Sequence, residues 1–261
     1  MMSNKKEILV KGRTISAQNP SVCVPLVGIT HDELIETVLE LVKKEPDIIE
    51  WRADYYERLE NIQLVLKTLA SIRNAIGEIP LLFTIRAEKE GGQAISLTVQ
   101  EKIEIMNVVC ASGQIDLIDL ELFHNKEEIT QVRDIAKKHQ VLLILSYHNF
   151  QATPALPTLL EKCVEAELLG ADLAKISVMA QDEKDVLHLL EVTQEANEST
   201  AIPLITISMG PLGSITRMFG FAFGSCITFG IGYASSAPGQ IPIEDVRQVI
   251  KIVQRSLNHS L

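Results

Sequence analysis

Short apolar runs alternate along the chain with longer segments in which apolar positions recur every three or four residues. The first unit shows both patterns: "SVCVPLVG" at 21–28 is continuously apolar, and "HDELIETVLELVKK" at 31–44 places Leu34, Val38 and Val42 on one helical face. The first pattern is typical of a buried strand and the second of an amphipathic helix. Before this unit, "ILVKGRTI" at 8–15 predicts a hairpin.

The same alternation continues to the end of the chain. The predicted strands cover 21–28, 47–53, 80–87, 117–122, 141–148, 173–179, 203–209 and 226–232. The predicted helices cover 31–44, 59–75, 97–111, 126–138, 156–169, 183–195, 214–220 and 242–257. Gly170 directly follows the fifth of these helices, where a glycine commonly ends a helix. Continuously apolar strands that alternate with amphipathic helices indicate a parallel sheet covered by helices.

Eight such units predict an α/β fold, a single TIM (β/α)8 barrel with an N-terminal hairpin, in one catalytic domain over residues 1–261. A doubly wound open sheet is the alternative. It is disfavoured because no predicted strand is followed by the G-x-G-x-x-G pattern of a dinucleotide crevice.

Composition narrows the class of protein. The chain has 261 residues, 46% of them hydrophobic, and a formal net charge of −10 without a basic cluster, which argues against nucleic acid as a partner. No apolar run approaches the roughly 20 residues of a membrane span, and the first residues lack the apolar stretch of a signal peptide, so a cytoplasmic location is expected. The four cysteines lie far apart in apolar segments and predict core residues: Cys23, Cys110, Cys163 and Cys226.

Charged and polar residues gather where the predicted strands end, which is where barrels of this kind place their chemistry. They are Glu50, Arg52, Arg86, Glu90, Asp119, Glu121, His148, Lys175, Arg217, Ser236 and Gln240. Each has a structural explanation by itself, since Lys175 could extend to the rim and His148 could bond a backbone carbonyl. A charge inside a barrel is costly unless it is paired, so their shared position predicts a polar pocket.

The residue types suggest a chemistry for this pocket. Burial in an apolar strand beside arginines disfavours the ammonium form of Lys175, and a neutral amine attacks carbonyls to form an imine. His148 is suited to move a proton near neutral pH, and Glu90 could orient it. Asp119 and Glu121 are expected to support the cluster by ion pairing. Three arginines indicate a substrate with a carboxylate and hydroxyls: Arg52, Arg86 and Arg217.

These residues alone do not choose among aldol cleavage, isomerisation and dehydration. A phosphate ligand near the last two strands also stays open, because the loops after strands seven and eight often bind phosphate in such barrels.

Several blocks of sequence, taken in order, resemble the type I 3-dehydroquinate dehydratase family. They are "EWR" at 50–52, "LLFTIRAEKEGG" at 81–92, "DLEL" at 119–122, "ILSYHNF" at 144–150, "AKISVM" at 174–179 and "SAPGQ" at 236–240. The resemblance runs from the second strand to the last helix. It implies a homodimeric barrel that converts 3-dehydroquinate to 3-dehydroshikimate in the shikimate pathway, which leads to aromatic amino acids, and that uses no metal or cofactor.

The resemblance also implies roles for the residues at the strand ends. Lys175 would form the imine (Schiff base), His148 would act as general acid and base in a syn elimination, and Glu90 would be the partner of the histidine. The remaining residues would bind substrate: Glu50, Arg52 and Arg86 its hydroxyls, and Arg217, Ser236 and Gln240 its carboxylate. Two other interpretations stay open, namely an aldolase-type barrel that shares the lysine imine and a barrel that binds a small polyhydroxy acid without turnover.

Overall fold

The computed structural model of the chain describes residues 7–233 and 236–258. Within that part of the chain the strands are β1 (Ile8–Val10), β2 (Arg13–Ile15), β3 (Ser21–Leu26), β4 (Ile48–Arg52), β5 (Leu81–Thr84), β6 (Leu117–Glu121), β7 (Leu142–Asn149), β8 (Leu173–Met179), β9 (Leu204–Met209) and β10 (Ile227–Phe229). The α-helices are α1 (His31–Val42), α2 (Ile62–Ile76), α3 (Val99–Ala111), α4 (Lys126–Lys138), α5 (Leu156–Leu168), α6 (Glu183–Ser199), α7 (Gly210–Phe219) and α8 (Ile243–Asn258). In the described ranges, none of the helices has the length and apolar character needed to cross a membrane.

Strands β3 to β10 form one parallel sheet that nearly closes on itself. Neighbouring strands follow the order β10-β3-β4-β5-β6-β7-β8-β9. Between β9 and β10 the closure consists of a parallel bridge from Leu204 to Ser225, and the Cys226 N–H donates to the Leu204 carbonyl at 2.7 Å. Helices alternate with these strands along the chain. The predicted (β/α)8 barrel is therefore confirmed.

The predicted N-terminal hairpin is also confirmed, and it covers one end of the barrel. Strands β1 and β2 pair antiparallel through a two-residue turn in which Lys11 and Gly12 have φ angles of 49° and 74°. Such a turn matches the twist of a hairpin. Ile8, Val10 and Ile15 are buried in the same apolar cluster as the interior residues at the start of the barrel strands. The hairpin thus closes the N-terminal end and leaves the carboxyl end for the site.

Alternate residues of each barrel strand face the interior. In several strands these interior residues change from apolar to polar towards the carboxyl end. In β8 the apolar Leu173 is followed on the same face by Lys175 and Ser177. Three other strands change in the same way: Ile48, Glu50 and Arg52 in β4; Leu117, Asp119 and Glu121 in β6; and Ile144, Ser146 and His148 in β7. Strands β9 and β10 keep apolar residues to their ends, with Met209 and Phe229. The interior is therefore apolar at the hairpin end and polar over about half of the opposite end.

Most element boundaries differ from the prediction by one to four residues, and two of these differences have a clear local cause. Helix α7 begins at Gly210 and not at 214, because Pro211 lies in its first turn, where the missing proline N–H leaves no helical bond unmade. The last strand covers three residues and not 226–232, because Ile231 already bridges to Pro242 outside the sheet.

The local predictions for Gly170 and the cysteines are confirmed. Gly170 has a φ of 87°, its N–H donates to the Glu167 carbonyl, and the Ala171 N–H donates to the Ala166 carbonyl, which is the hydrogen-bond pattern of a glycine-terminated helix. All four cysteines are buried.

Candidate active site

A cavity at the carboxyl ends of the barrel strands contains every residue proposed from sequence for catalysis or substrate binding. Its polar lining includes Glu50, Arg52, Arg86, Glu90, His148, Lys175, Arg217, Ser236 and Gln240. The remaining wall is formed by Gly91, Phe150, Ser177, Ile207, Met209, Phe229 and Ala237. The fold thus brings together residues that are spread over almost the whole chain.

Lys175 is held inside the barrel between carboxylates and an aromatic ring. Its side chain is 5% exposed, and Nζ donates to Oδ2 of Asp119 at 3.1 Å. Nζ also lies 3.9 Å from Oε1 of Glu50 and 4.7 Å from the centroid of the Phe229 ring. Sequence reasoning placed arginines beside this lysine, but its nearest charged neighbours are the two carboxylates. These contacts fix the amine at one position in the cavity.

Arg86 organises the polar network behind the lysine. Its guanidinium lies 2.8 Å from Oδ2 of Asp119 and 2.9 Å from Oε1 of Glu121, so the predicted ion pairing of these two carboxylates is confirmed. Burial opposes ionisation of Asp119, yet Arg86 and Lys175 together hold the pKa of this carboxyl far below its usual range. Ser146 accepts from Arg86 at 2.8 Å and donates to Asp119 at 2.6 Å. Sequence reasoning missed Ser146, although it lies two residues before His148 on the same strand face.

His148 and Glu90 form a second, separate pair. Oε2 of Glu90 lies 2.8 Å from Nδ1 of His148 and accepts the His148 backbone N–H at 3.0 Å. Burial, followed by the cations Arg86 and Lys175, lowers the pKa of His148 well below its usual value. Burial also raises the pKa of Glu90 to about 8. When Glu90 is ionised and accepts from Nδ1–H, the neutral imidazole has Nε2 available to accept a proton from a ligand.

Arg52 has a buried carboxylate partner that sequence reasoning did not include. Its Nε and one terminal nitrogen donate to the two carboxylate oxygens of Asp54, both at 2.8 Å. Glu50, on the same strand face, accepts from the Thr84 hydroxyl at 3.0 Å. The sequence signal that could have predicted this pair is the position of Asp54, two residues after Arg52. The pairing leaves Arg52 at the cavity wall with its charge already matched.

Arg217 differs from the other two arginines because no described carboxylate pairs with it. It lies in the last turn of α7 and is 2% exposed. Its terminal nitrogens donate to the carbonyls of Phe229 and Pro238 at 3.2 and 3.0 Å, while Nε is buried without a hydrogen-bond partner. Within residues 7–233 and 236–258 no carboxylate forms an ion pair with it, and burial lowers its pKa to about 10. A buried cation of this kind is stabilised by an anionic ligand.

The loop after β10 lies beside Arg217. In it, the Ser236 N–H donates to Oε1 of Gln240 at 2.9 Å, and Nε2 of Gln240 donates to the Ser236 hydroxyl at 3.4 Å. Both residues line the cavity, so they face the same region as the Arg217 guanidinium.

The family model described as Type I 3-dehydroquinase matches residues 22–256. The chain belongs to the type I 3-dehydroquinase family. A relative named 3-dehydroquinate dehydratase from Geobacillus sp. (strain WCH70) is 47% identical over 259 residues, which cover 99% of this chain and 100% of the relative. This type I 3-dehydroquinase is therefore a hydro-lyase, and the resemblance found in the sequence is confirmed.

Solved structures of type I 3-dehydroquinases have the same fold. The 3-dehydroquinate dehydratase of Geobacillus kaustophilus HTA426 is 46% identical, superposes with a TM-score of 0.94, and the match covers 96% of this chain and 97% of that one. The type I enzyme of Clostridium difficile, described with covalently modified comenic acid, is 40% identical with a TM-score of 0.93, covering 97% and 100% of the two chains.

Proposed function

We propose that the chain dehydrates 3-dehydroquinate to 3-dehydroshikimate in the shikimate pathway through an imine formed on Lys175. The observation that carries the proposal is the position of this amine. Among the described residues that line the cavity, Lys175 is the single lysine, and it shares the cavity with a histidine already oriented by a carboxylate. A primary amine and a positioned base are the two groups that imine-assisted elimination requires.

The steps follow from these positions. The ammonium form of Lys175 first gives up a proton, and the free amine attacks the ring ketone. The hydroxyl of the adduct takes that proton and leaves as water, which gives a protonated imine. The imine withdraws electrons from the neighbouring C–H bond, so His148 can remove that proton through Nε2. The electron pair of the C–H bond forms the new carbon–carbon double bond, the C–O bond of the β-hydroxyl breaks, and the imidazolium returns its proton to the leaving oxygen as water. Because one imidazole serves both steps, the elimination is syn. Water then hydrolyses the product imine and frees Lys175.

The charges around the cavity support one orientation of the substrate. Arg86 and Arg52 are already paired with carboxylates, whereas Arg217 has no carboxylate partner among the residues that the structure describes. The substrate carboxylate therefore belongs at Arg217, with Ser236 and Gln240 beside it. Uncharged hydroxyls suit the region of Glu50, Arg52 and Arg86, where both hydrogen-bond donors and acceptors are present.

The C. difficile relative supports a covalent route, since its structure is described with covalently modified comenic acid. The direct test is to add borohydride together with 3-dehydroquinate, because borohydride reduces an imine to a stable secondary amine. Peptide mass spectrometry should place the adduct on Lys175, and borohydride without ligand should leave the protein active. Lys175→Arg keeps the charge but forms no imine, so it should lose both trapping and turnover while staying folded. Trapping on another lysine, with activity intact in Lys175→Arg, would contradict the proposal.

Product analysis separates dehydration from the two other interpretations. Dehydration of 3-dehydroquinate gives a conjugated enone that absorbs in the ultraviolet, whereas an aldolase-type reaction gives two fragments. A barrel that only binds the acid gives neither product. The expected result is the enone.

We also propose that the protein is a homodimer in the cytoplasm. An exposed apolar stripe on α7, formed by Leu212, Ile215 and Phe219, supports association with a second copy. Sedimentation equilibrium should show a dimer, and a monomer at micromolar concentration would contradict this assignment. Cell fractionation tests the location.

A further inference from the structure

Asp54 is a buried carboxylate that receives four hydrogen bonds at the edge of the cavity. It lies in a short 3₁₀ helix, Ala53–Tyr55, directly after β4 and is 2% exposed. Arg52 donates to both of its oxygens at 2.8 Å. The backbone N–H of Arg86 donates to Oδ1 at 3.3 Å, and the backbone N–H of Gln93 donates to Oδ2 at 3.1 Å. Each carboxylate oxygen therefore accepts one bond from Arg52 and one from a backbone amide.

The two backbone donors bracket the segment that carries Glu90. Arg86 precedes this segment and Gln93 follows it, so one carboxylate joins its two ends. Inside the segment, the N–H groups of Glu90 and Gly92 both donate to the Ala87 carbonyl, at 2.9 and 3.0 Å. The segment is a closed turn, and Asp54 attaches both of its ends to β4.

Only an ionised carboxylate satisfies this arrangement. Each oxygen accepts two N–H groups, and the full negative charge balances the buried guanidinium of Arg52. An amide of the same size would present an NH₂ group towards N–H donors and would leave Arg52 unpaired, which is costly in a buried position.

We infer that Asp54 is a positioning residue that holds Glu90 against His148 and Arg52 against the cavity wall. The inference rests on the proposed function, because it acts through the base assigned to His148. Asp54 itself does not line the cavity, so it affects the reaction only through the groups it holds. Lys175 depends on a different carboxylate, Asp119, and should be unaffected.

Asp54→Asn tests the inference. The substitution should lower kcat by about a hundredfold, the order of loss expected when a catalytic group is displaced by about 1 Å. KM should rise as Arg52 is released. Loosening of the Glu90 segment should admit water to His148. Because burial is the largest cause of the low pKa of His148, this pKa should then rise. The acid limb of the kcat/KM profile should therefore move to higher pH. Borohydride trapping on Lys175 should persist.

Asp116→Asn is the matched control. Asp116 also accepts from an arginine, Arg73 at 2.7 Å, and from a backbone amide, that of Leu81 at 2.9 Å, but it precedes β6 at the hairpin end of the barrel. Its substitution should lower thermal stability and leave kcat and the acid limb unchanged.

The outcomes distinguish this inference from the proposed function. If Asp54→Asn loses only stability, as Asp116→Asn should, Asp54 is a structural residue and the inference is wrong. If borohydride traps no ligand on the wild-type protein, the result contradicts the proposed function itself. Should Asp54→Asn not fold, Asp54→Glu keeps the charge and moves the carboxylate by one methylene. The same loss of kcat with trapping retained is expected there, and wild-type kcat would overturn the inference.

Discussion

One oxygen of Glu90 holds both the ring and the main chain of His148. Oε2 lies 2.8 Å from Nδ1 and accepts the backbone N–H at 3.0 Å. The side chain of the proposed general base is thus oriented by a segment that follows a different strand, β5. The contact selects Nε2 as the nitrogen that meets the substrate. It also makes the proton affinity of the imidazole depend on the position of a neighbouring turn.

The first prediction separates proton transfer from imine formation. His148→Ala should still form the imine on Lys175, because the amine is held by Asp119 and not by the histidine. Turnover should fall by about 10²–10⁴-fold, the usual contribution of a general acid or base. Borohydride trapping and steady-state kinetics measure the two effects on the same sample. Near wild-type turnover would mean that His148 has only a structural role.

The second prediction concerns stability against pH. The pKa of Glu90 is raised to about 8 in the folded protein, so the folded state keeps a proton that the unfolded chain releases near its ordinary, lower pKa. This contribution is present at low pH and is lost as pH rises through 8. Between about pH 6.5 and 8, the free energy of unfolding of the wild type should fall relative to Glu90→Gln by roughly 1.4 kcal/mol per pH unit.

Thermal melts of both proteins across this range measure the difference. Histidine ionisation contributes little there, because the pKa of His148 lies below its usual value in the folded state. Parallel curves for the two proteins would show that Glu90 is ionised throughout.

Sequence patterns predicted the barrel and the polar residues that meet in the cavity, because both depend on local periodicity. Lys175 interrupts an apolar strand, and its even spacing from Leu173 and Ser177 places all three on the interior face. The same spacing would have identified Ser146 and Thr84, whose hydroxyl groups complete the network. Residues at strand ends are brought together by any parallel barrel, so their proximity needed no knowledge of packing.

Contacts that depend on the path of loops were not predictable in this way. The partnership of Asp54 with Gln93 joins positions that are not related by strand register. Likewise, the position of Arg217 against backbone carbonyls, away from every described carboxylate, depends on how α7 is placed against the loop after β10. The length of α7 itself was underestimated, because glycine and proline indicate a turn until the helix that follows them is seen.

The third prediction tests the anion site. Arg217→Ala should raise KM by about tenfold to a hundredfold, the value of one charge-assisted contact, while kcat changes less. Without ligand the variant should be no less stable than the wild type, because the buried guanidinium has no carboxylate partner among the described residues. Steady-state kinetics and melts with and without product measure both effects. An unchanged KM would remove Arg217 from the substrate site.

The fourth prediction concerns the loop that carries Ser236 and Gln240. Gly239 has a φ of 75°, and a Cβ added there would lie 2.1 Å from the carbonyl oxygen of Gly210. Since that neighbour is backbone, Gly239→Ala must displace the loop, which also supplies the Pro238 carbonyl to Arg217. The carboxylate site would then be misplaced, and KM should rise by at least about tenfold while trapping on Lys175 persists.

Gly77→Ala is the control for this variant, since it separates loop displacement from backbone strain. Gly77 follows α2 with a φ of 57°, and a Cβ there would meet nothing within 4 Å. Both variants should lose stability, because a residue other than glycine is strained at a positive φ. Only Gly239→Ala should change KM, because only that substitution forces two backbone segments apart beside the cavity. Equal KM values in the two variants would show that the position of the loop does not control substrate binding.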